Sequence, residues 1–323
     1  MSNTKEIQRR IKSVSNTRKI TSAMEMVAAT KMKRATDAVL ATRTYANLSW
    51  ETVLNLSQAN DSSSLHPLLK KKDKIKRVAM ILISSNRGLC GGYNNKIIQK
   101  AHDSILKHQS GPDQKDIETD FILLGKKGQA VYRYYGYQIV AEFDKPDLAS
   151  RVAEVLPVAN MVIEDFLNGK YDKIMVAYTD YINPSVQVPR IKQILPVDIE
   201  AQDENLGIMG KDTRVGMDKD FVDQKREKHT TSQGHNYEYL FEPGPKEVLD
   251  EMIPRLIEVQ LFQALLESNA SEHSARMNSM HQATEAADEI VDDLTLYYNK
   301  ARQAVITSEI SEISAGANAL AEE

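Results

Sequence analysis

Apolar and small residues recur at alternating steps of three and four near both ends of the chain. Toward the C-terminus the repeat runs through Met277, Met280, Thr284, Ala287, Val291, Leu294, Tyr298, Ala301 and Val305. Toward the N-terminus it runs through Ala28, Met32, Ala35, Val39, Thr42, Ala46, Ser49, Val53 and Leu56. Repeats of this length are typical of left-handed coiled coils. Because many of these residues are small, we expect closely packed helices with a modestly apolar seam.

The pattern changes before Ala28. The apolar positions there are Ile7, Ile11 and Val14, followed by Ile20, Met24 and Val27. This stripe is out of phase with the repeat that follows it. We therefore predict less regular helix pairing over the first part of the chain.

Glycine and proline are confined to the middle of the chain. Of the 14 Gly and 10 Pro, 23 lie between Pro67 and Pro254, and Gly316 is the exception. Both residues destabilise helix interiors, so a long helix is expected at each end. The predicted organisation is an N-terminal shaft helix over residues 1–66, a central α/β domain over 67–245 and a C-terminal shaft helix over 246–323.

Short apolar runs in the middle predict buried strands. They are RVAMILIS at Arg77–Ser84, DFILL at Asp120–Leu124 and KIMVAYT at Lys173–Thr179. A further strand is expected near Gln138–Phe143, and Val186–Pro196 is expected to form an extended edge segment because it contains Pro189. Strands that alternate with helices predict a Rossmann-like α/β sheet of mostly parallel strands.

The remaining segments of the middle are predicted as helices and connections. Asn94 or Asn95 is expected to cap a helix that reaches about Lys107, and a helix kinked at Pro157 is expected over about Asp147–Leu167. Asn60–Lys76 is polar and lysine-rich and is interpreted as a linker. Residues 200–236 carry four glycines and many charges, so an exposed loop or insertion is expected there.

Charge indicates which helix pairs with which. Residues 1–45 hold 10 Lys/Arg and 3 Asp/Glu, whereas residues 246–323 hold 5 Lys/Arg and 15 Asp/Glu. A basic and an acidic helix in one chain attract each other. An antiparallel pair within the chain is the simplest arrangement, and pairing with a second copy or two separate solvated helices are the alternatives.

Composition limits the classes of function. The 323 residues carry a net charge of −4, so a nucleic-acid partner is not expected. The single cysteine, Cys90, excludes an intramolecular disulfide. No apolar run approaches the roughly 20 residues that span a bilayer, and no signal or transit peptide is evident. These features predict a soluble or peripheral protein.

The glycine-rich loop at Arg87–Asn94 is the strongest candidate for chemistry. It lies after a predicted strand and before a predicted helix, where phosphate-binding loops lie. It lacks the spacing of either common phosphate motif, so a structural or partner-contacting turn is favoured. Cys90 in this loop has Arg87 nearby, but no base adjoins it in sequence, which disfavours a thiol enzyme.

Other polar residues do not form a recognisable site. The seven histidines are scattered, and His273 and His281 are interpreted as solvated side chains on one helix. The pairs Asp292/Asp293 and Glu309/Glu312 are interpreted as surface charge. We therefore predict no catalytic residues, no cofactor and no metal.

Four separated blocks of sequence resemble the gamma subunit of F-type ATP synthases. The most specific runs from Tyr298 to Ala317 and contains the pattern I-T-x-E-[IL]-x-E-I-x-x-G-A. The others are Ile20–Lys33, Asn86–Asn94 and Ser274–Met277. The blocks occur in the same order as in that family and extend over almost the whole chain.

The resemblance implies a noncatalytic rotor subunit in the central stalk of the enzyme. Its paired terminal helices would form a shaft inside the hexamer of alpha and beta subunits, and its α/β domain would contact the epsilon subunit and the membrane ring of c subunits. Shaft rotation would couple proton flow to conformational cycling of the beta catalytic sites. In a bacterium, this implies a peripheral protein on the cytoplasmic face of the plasma membrane.

The resemblance also implies contact residues by motif position. Those for the beta subunit are Met24, Cys90, Arg276, Arg302, Gln303 and Thr307. Those for a foot on the c ring are Tyr239, Phe241 and Glu242. A coiled-coil scaffold with an α/β ligand-binding domain is the alternative function.

Overall fold

The computed structural model describes residues 4–59, 66–70, 72, 74–109, 117–149, 151–197 and 244–321. The helices are α1 (Thr4–Ala59), α2 (Tyr93–Gln109), α3 (Ala130–Tyr135), α4 (Leu156–Leu167) and α5 (Pro245–Ala321). The strands are β1 (Arg77–Ile83), β2 (Glu118–Leu124), β3 (Ile139–Phe143), β4 (Lys173–Asn183) and β5 (Val186–Leu195). Long terminal helices around an α/β middle confirm the predicted fold class.

The chain divides into two compact units. The first unit, called here the helix pair, comprises Met1–Ala29 of the N-terminal end and Arg276–Glu323 of the C-terminal end. The second, called here the sheet unit, comprises Thr30–Ala275. Helices α1 and α5 contribute to both units.

The sheet has the order β3-β2-β1-β4-β5. The first four strands are parallel, and β5 pairs antiparallel with β4 at the edge. Pro189 lies in this edge strand, where the missing N–H is tolerated. The order of the four parallel strands is that of a Rossmann-like sheet, as the apolar runs predicted.

Each face of the sheet carries its own apolar core. On one face, α2 and α3 cover side chains of β1 and β2, including Met80, Leu82 and Phe121. On the other face, α4 and the start of α5 cover a larger cluster that includes Ile81 and Ile122. The central strands are therefore buried on both faces, which explains why their sequences are continuously apolar.

Three local expectations were wrong. Asn94 lies inside α2 rather than at its cap, because its side chain turns back to accept the N–H of Ser85 at 3.0 Å. The helix expected from Asp147 begins only at Leu156, since Pro157 is favourable in a first turn and unfavourable deeper in a helix. Leu68 and Leu69, expected in a linker, are buried in the core of the sheet unit.

The predicted change of phase before Ala28 was also wrong. Ile20 and Val27 are exposed, whereas Ile7 and Ala28 are buried and Ile11, Val14 and Thr21 are half-buried. The three-four step therefore continues along the first part of α1. The sequence pattern did not reveal this continuation because the seam positions between Val14 and Ala28 carry polar residues.

Candidate subunit-contact surfaces

The helix pair is antiparallel. Arg18 Nε lies 2.5 Å from Asp288 Oδ1, and Glu25 Oε1 lies 3.0 Å from His281 Nδ1. Between them, the hydroxyls of Thr21 and Thr284 are 2.8 Å apart. From Arg18 to Glu25 the residue number on α1 rises by seven, while that of the partner on α5 falls by seven, from Asp288 to His281. The expected intramolecular antiparallel pairing is present.

The seam of the helix pair is narrow and weakly apolar, as predicted. On α5, Met280 and Ala287 are buried, and half-buried positions follow at the expected spacing as far as Ala301. Met24 and Arg276 are both half-buried. Val305, predicted in the seam, is exposed instead, so seam burial ends about one turn before it.

Large apolar side chains are exposed around the outside of the helix pair. They are Ile20, Met26, Val27, Ile290, Leu296 and Tyr297. Single exposed apolar residues are common, but several on one short helical segment indicate a surface that another protein covers.

The last part of α5 is exposed on every side. Arg302, Gln303 and Thr307 are exposed, as are all described side chains from Arg302 to Ala315. Val305, Ile306, Ile310 and Ile313 are among them. The chain itself buries none of these four large apolar side chains, and an apolar surface of this kind on a helix exposed all round indicates contact with a partner.

In the glycine-rich loop after β1, Leu89 is exposed and Cys90 is buried. The thiol of Cys90 accepts a hydrogen bond from Asn94 Nδ2 at 3.3 Å and lies 3.8 Å from Ser85 Oγ. Leu89, by contrast, is 62% exposed and has a φ of +63°. A bulky residue in the left-handed region is strained, and such strain clusters at functional positions. The sequence motif pointed to Cys90 instead, because a backbone conformation leaves no mark in the residue pattern.

A buried polar cluster lies beside this loop, at the carboxyl end of β3. Lys145 Nζ and Glu272 Oε2 are 2.5 Å apart, with side chains 2% and 5% exposed. The ammonium group also lies 5.7 Å from the centroid of the Tyr93 ring, and burial raises the pKa of the Tyr93 hydroxyl. No sequence pattern indicated this ion pair, because its partners are 127 residues apart.

The histidines on α5 differ from each other. His273, expected to be solvated, is buried, and its Nε2 lies 2.8 Å from the carbonyl oxygen of Asp147. That expectation was wrong because this part of α5 is packed inside the sheet unit. His281 is exposed beside Glu25 and Glu285.

The remaining candidates add no chemistry to the described part of the chain. Among those residues, no group of three or more His, Cys, Asp or Glu side chains could hold a metal ion. Tyr239, Phe241 and Glu242 lie outside the described residues, as do residues 200–236. No described helix combines the length and apolarity that a membrane crossing requires.

Solved structures with this fold are components of rotary enzymes. A chain of the Euglena gracilis mitochondrial ATP synthase (OSCP/F1/c-ring) aligns with a TM-score of 0.61 at 17% identity, covering 98% of this chain and 94% of that one. A chain of the Tetrahymena thermophila mitochondrial ATP synthase central stalk and c-ring aligns with a TM-score of 0.54 at 21% identity, covering 82% and 99%. At these identities the likeness shows the fold alone.

Sequence comparisons establish the family. The family model described as ATP synthase matches residues 3–320. ATP synthase gamma chains from Chloroflexus aurantiacus and Herpetosiphon aurantiacus are 39% and 40% identical over 321 and 326 residues, each alignment covering 99% of both chains. The chain belongs to the ATP synthase gamma-chain family. The gamma chain is a noncatalytic component of a membrane-associated complex. The resemblance stated from the four sequence blocks, and the central-stalk role it implied, are confirmed.

Proposed function

We propose that this chain is the rotor that couples ion flow through a membrane c ring to ATP synthesis and hydrolysis by alpha and beta subunits. The observation that carries the proposal is the exposed C-terminal end of α5, where residues 302–315 expose four large apolar side chains. Burial of this surface requires an enclosing partner. A hexamer of alpha and beta subunits around the helix would supply one.

The mechanism follows from asymmetry. The helix pair exposes different side chains on its different sides, with Ile20 and Val27 on α1 and Tyr297 on α5. Three beta subunits around such a shaft would each meet a different surface. A shaft orientation that favours one beta conformation over another changes the affinity for nucleotide at that site, which is coupling between sites in the thermodynamic sense.

We further propose which residues make the contacts. Arg302, Gln303 and Thr307 are exposed on α5 and are available for polar contacts with beta loops. Met24 and Arg276 are half-buried and would contact a partner with part of each side chain. At the loop after β1, the burial of Cys90 and the exposure of Leu89 favour Leu89 as the contacting side chain.

The other partners and the location are proposed from the family. Tyr239, Phe241 and Glu242 would form the foot on the c ring, and the sheet unit would bind the epsilon subunit. In a bacterial cell the chain would then lie on the cytoplasmic face of the plasma membrane. The relatives named above are bacterial, which supports this setting.

Size-exclusion co-elution with the cognate alpha and beta subunits tests the proposal, with ATPase activity measured on the same fractions. We expect one copy of this chain per three alpha and three beta subunits, in fractions that hydrolyse ATP. If the chain elutes alone and the alpha–beta mixture is no more active in its presence, the proposal fails and the scaffold alternative is favoured.

A further inference from the structure

The loop after β3 is bonded to both long helices within the sheet unit. This segment, Asp144–Asp147, is called here the anchor loop. Toward α5, its Lys145 pairs with Glu272. The carbonyl of Pro146 accepts a hydrogen bond from Asn269 Nδ2 at 3.3 Å, and the carbonyl oxygen of Asp147 lies 2.8 Å from His273 Nε2. To α1 it presents Asp147, whose Oδ2 accepts from Lys31 Nζ at 2.8 Å.

The anchor loop is also fixed to the sheet. It begins directly after β3, and its Lys145 carbonyl accepts a hydrogen bond from Asn86 Nδ2 at 2.7 Å. Asn86 belongs to the loop after β1. Four residues therefore connect two strand ends with two helices, through directional polar contacts.

Directional contacts matter because they add to apolar packing a restraint between particular atoms. Close packing also resists movement, but the hydrophobic effect is itself non-directional and does not specify which atoms must stay together. A buried ion pair that moves apart leaves two charges without partners in a low-dielectric interior, which is strongly unfavourable. The Lys145–Glu272 pair therefore resists rotation of α5 relative to the strand ends.

We propose that the anchor loop is the joint that transmits twist between the sheet and the helices α1 and α5, with Lys145 and Glu272 as its positioning residues. The inference rests on the rotor function proposed above and adds the place where force passes between the two kinds of element. The pair contacts no substrate. It acts by holding α5 in one orientation on the sheet.

The Lys145→Met/Glu272→Met double variant separates this role from folding. Removing one charge of the pair, as in Glu272→Gln, takes the paired carboxylate away from a buried ammonium and is expected to reduce assembly. Removing both charges with side chains of similar length is often tolerated in protein interiors. The double variant is therefore expected to assemble, while lacking the directional contact.

The measurement is proton pumping per ATP hydrolysed by the whole enzyme in sealed vesicles. For the double variant we expect ATP hydrolysis within about twofold of the unmodified enzyme and at least a twofold loss in protons pumped per ATP. The control variant is Lys170→Met, which removes a Lys–carboxylate pair of 2.8 Å between Lys170 and Asp165 that does not involve α1 or α5. The control should pump normally.

Two results would overturn the proposal. One is a double variant that assembles and pumps the same number of protons per ATP as the unmodified enzyme, which would show that the Lys145–Glu272 pair does not transmit twist. The other is a double variant that fails to assemble and loses hydrogen-exchange protection across the sheet, which would make the pair a folding requirement. If the enzyme with the unmodified chain does not couple ATP hydrolysis to proton pumping, the proposed rotor function is wrong. That result is distinguishable from the two results above, which concern the double variant.

Discussion

The hydroxyl oxygens of Thr21 on α1 and Thr284 on α5 lie 2.8 Å apart across the helix pair. Two further polar contacts lie close to it along the helices: a salt bridge from Arg18 to Asp288 and a contact from Glu25 to His281. Polar contacts at seam positions weaken a coiled coil but specify its register. In this molecule they specify an antiparallel alignment that the modestly apolar seam alone would define poorly.

Cysteines at these two threonine positions should form a disulfide within one chain. Oxygen atoms 2.8 Å apart indicate that sulfur atoms at the same two positions can approach each other closely. We expect Thr21→Cys/Thr284→Cys to cross-link under mild oxidation, as measured by mass spectrometry after proteolysis without reduction. The matched control is Thr21→Cys/Val291→Cys, displaced by about 10 Å along the helix, which should not cross-link. A disulfide between two copies would instead support pairing with a second chain.

The sequence predicted the elements whose pattern is set by burial. The strands were identifiable because β1 and β2 are covered on both faces and therefore read as continuous apolar runs. The seam from Met277 to Ala301 was identifiable because small and apolar residues at heptad spacing are typical of closely packed helices. In both cases the local pattern and the tertiary environment agree.

Polar residues at contact positions account for what could not be predicted. Arg18 and Glu25 on α1 face partners on α5, although the Arg18 side chain is 48% exposed. The apolar pattern there therefore pointed to Ile20 and Val27, which are exposed. Lys145 and Glu272 are buried only because each neutralises the other across 127 residues of sequence. A contact between charges so far apart leaves no periodic signal, and only the fold reveals it.

Leu89→Gly should separate partner contact from folding. Glycine adopts a φ of +63° without strain, so the free energy of unfolding of the chain should stay constant or rise by about 0.5–1 kcal/mol. If Leu89 contacts a beta subunit, coupled ATP hydrolysis of the assembled enzyme should fall severalfold. Urea unfolding and vesicle pumping measure the two effects. Leu167→Ala, at another exposed leucine of the sheet unit, should leave coupling intact, and normal coupling in Leu89→Gly would remove Leu89 from the contact surface.

Lys192 should make the stability of the chain rise with pH in the alkaline range. Burial lowers the pKa of this ammonium to about 8, although the Glu267 carboxylate raises it. Between about pH 8 and 10.4 the unfolded chain therefore holds a proton that the folded chain has released, so stability rises with pH. We expect Lys192→Met to remove about 2 kcal/mol of that rise between pH 8 and 9.5.

Urea unfolding at several pH values measures this dependence. The control is Lys170→Met, at a more exposed lysine of the same unit, which should keep the dependence of the unmodified chain. Identical slopes for all three proteins would show that Lys192 titrates normally.

Asp172 should stabilise the sheet unit above acidic pH. Burial alone would raise the pKa of this carboxyl, but hydrogen bonds from Lys72 and from two backbone N–H groups at the start of β1 lower it to about 2. Its contribution is therefore complete above about pH 3.9 and is lost as the pH falls toward 2. With allowance for solvent screening, we expect Asp172→Asn to cost about 1–2 kcal/mol at pH 7. Denaturant unfolding should show no comparable loss for Glu118→Gln, at an exposed carboxylate near the same sheet edge.

The Arg302→Ala/Gln303→Ala double variant tests the contacts carried over by motif. Both side chains are exposed on α5, so their removal should change the free energy of unfolding of the chain by less than about 0.5 kcal/mol. If they bind loops of the beta subunit, the same change should weaken assembly or lower proton pumping by the enzyme, because polar contacts at an interface are lost without a change in the rotor fold. Asn299→Ala/Lys300→Ala, at exposed positions in the preceding turn, is the matched control. Unchanged ATPase and pumping in the Arg302→Ala/Gln303→Ala enzyme would show that the shaft engages beta through other residues, which would leave the exposed apolar side chains of Val305 and Ile306 as the contacts on this part of α5.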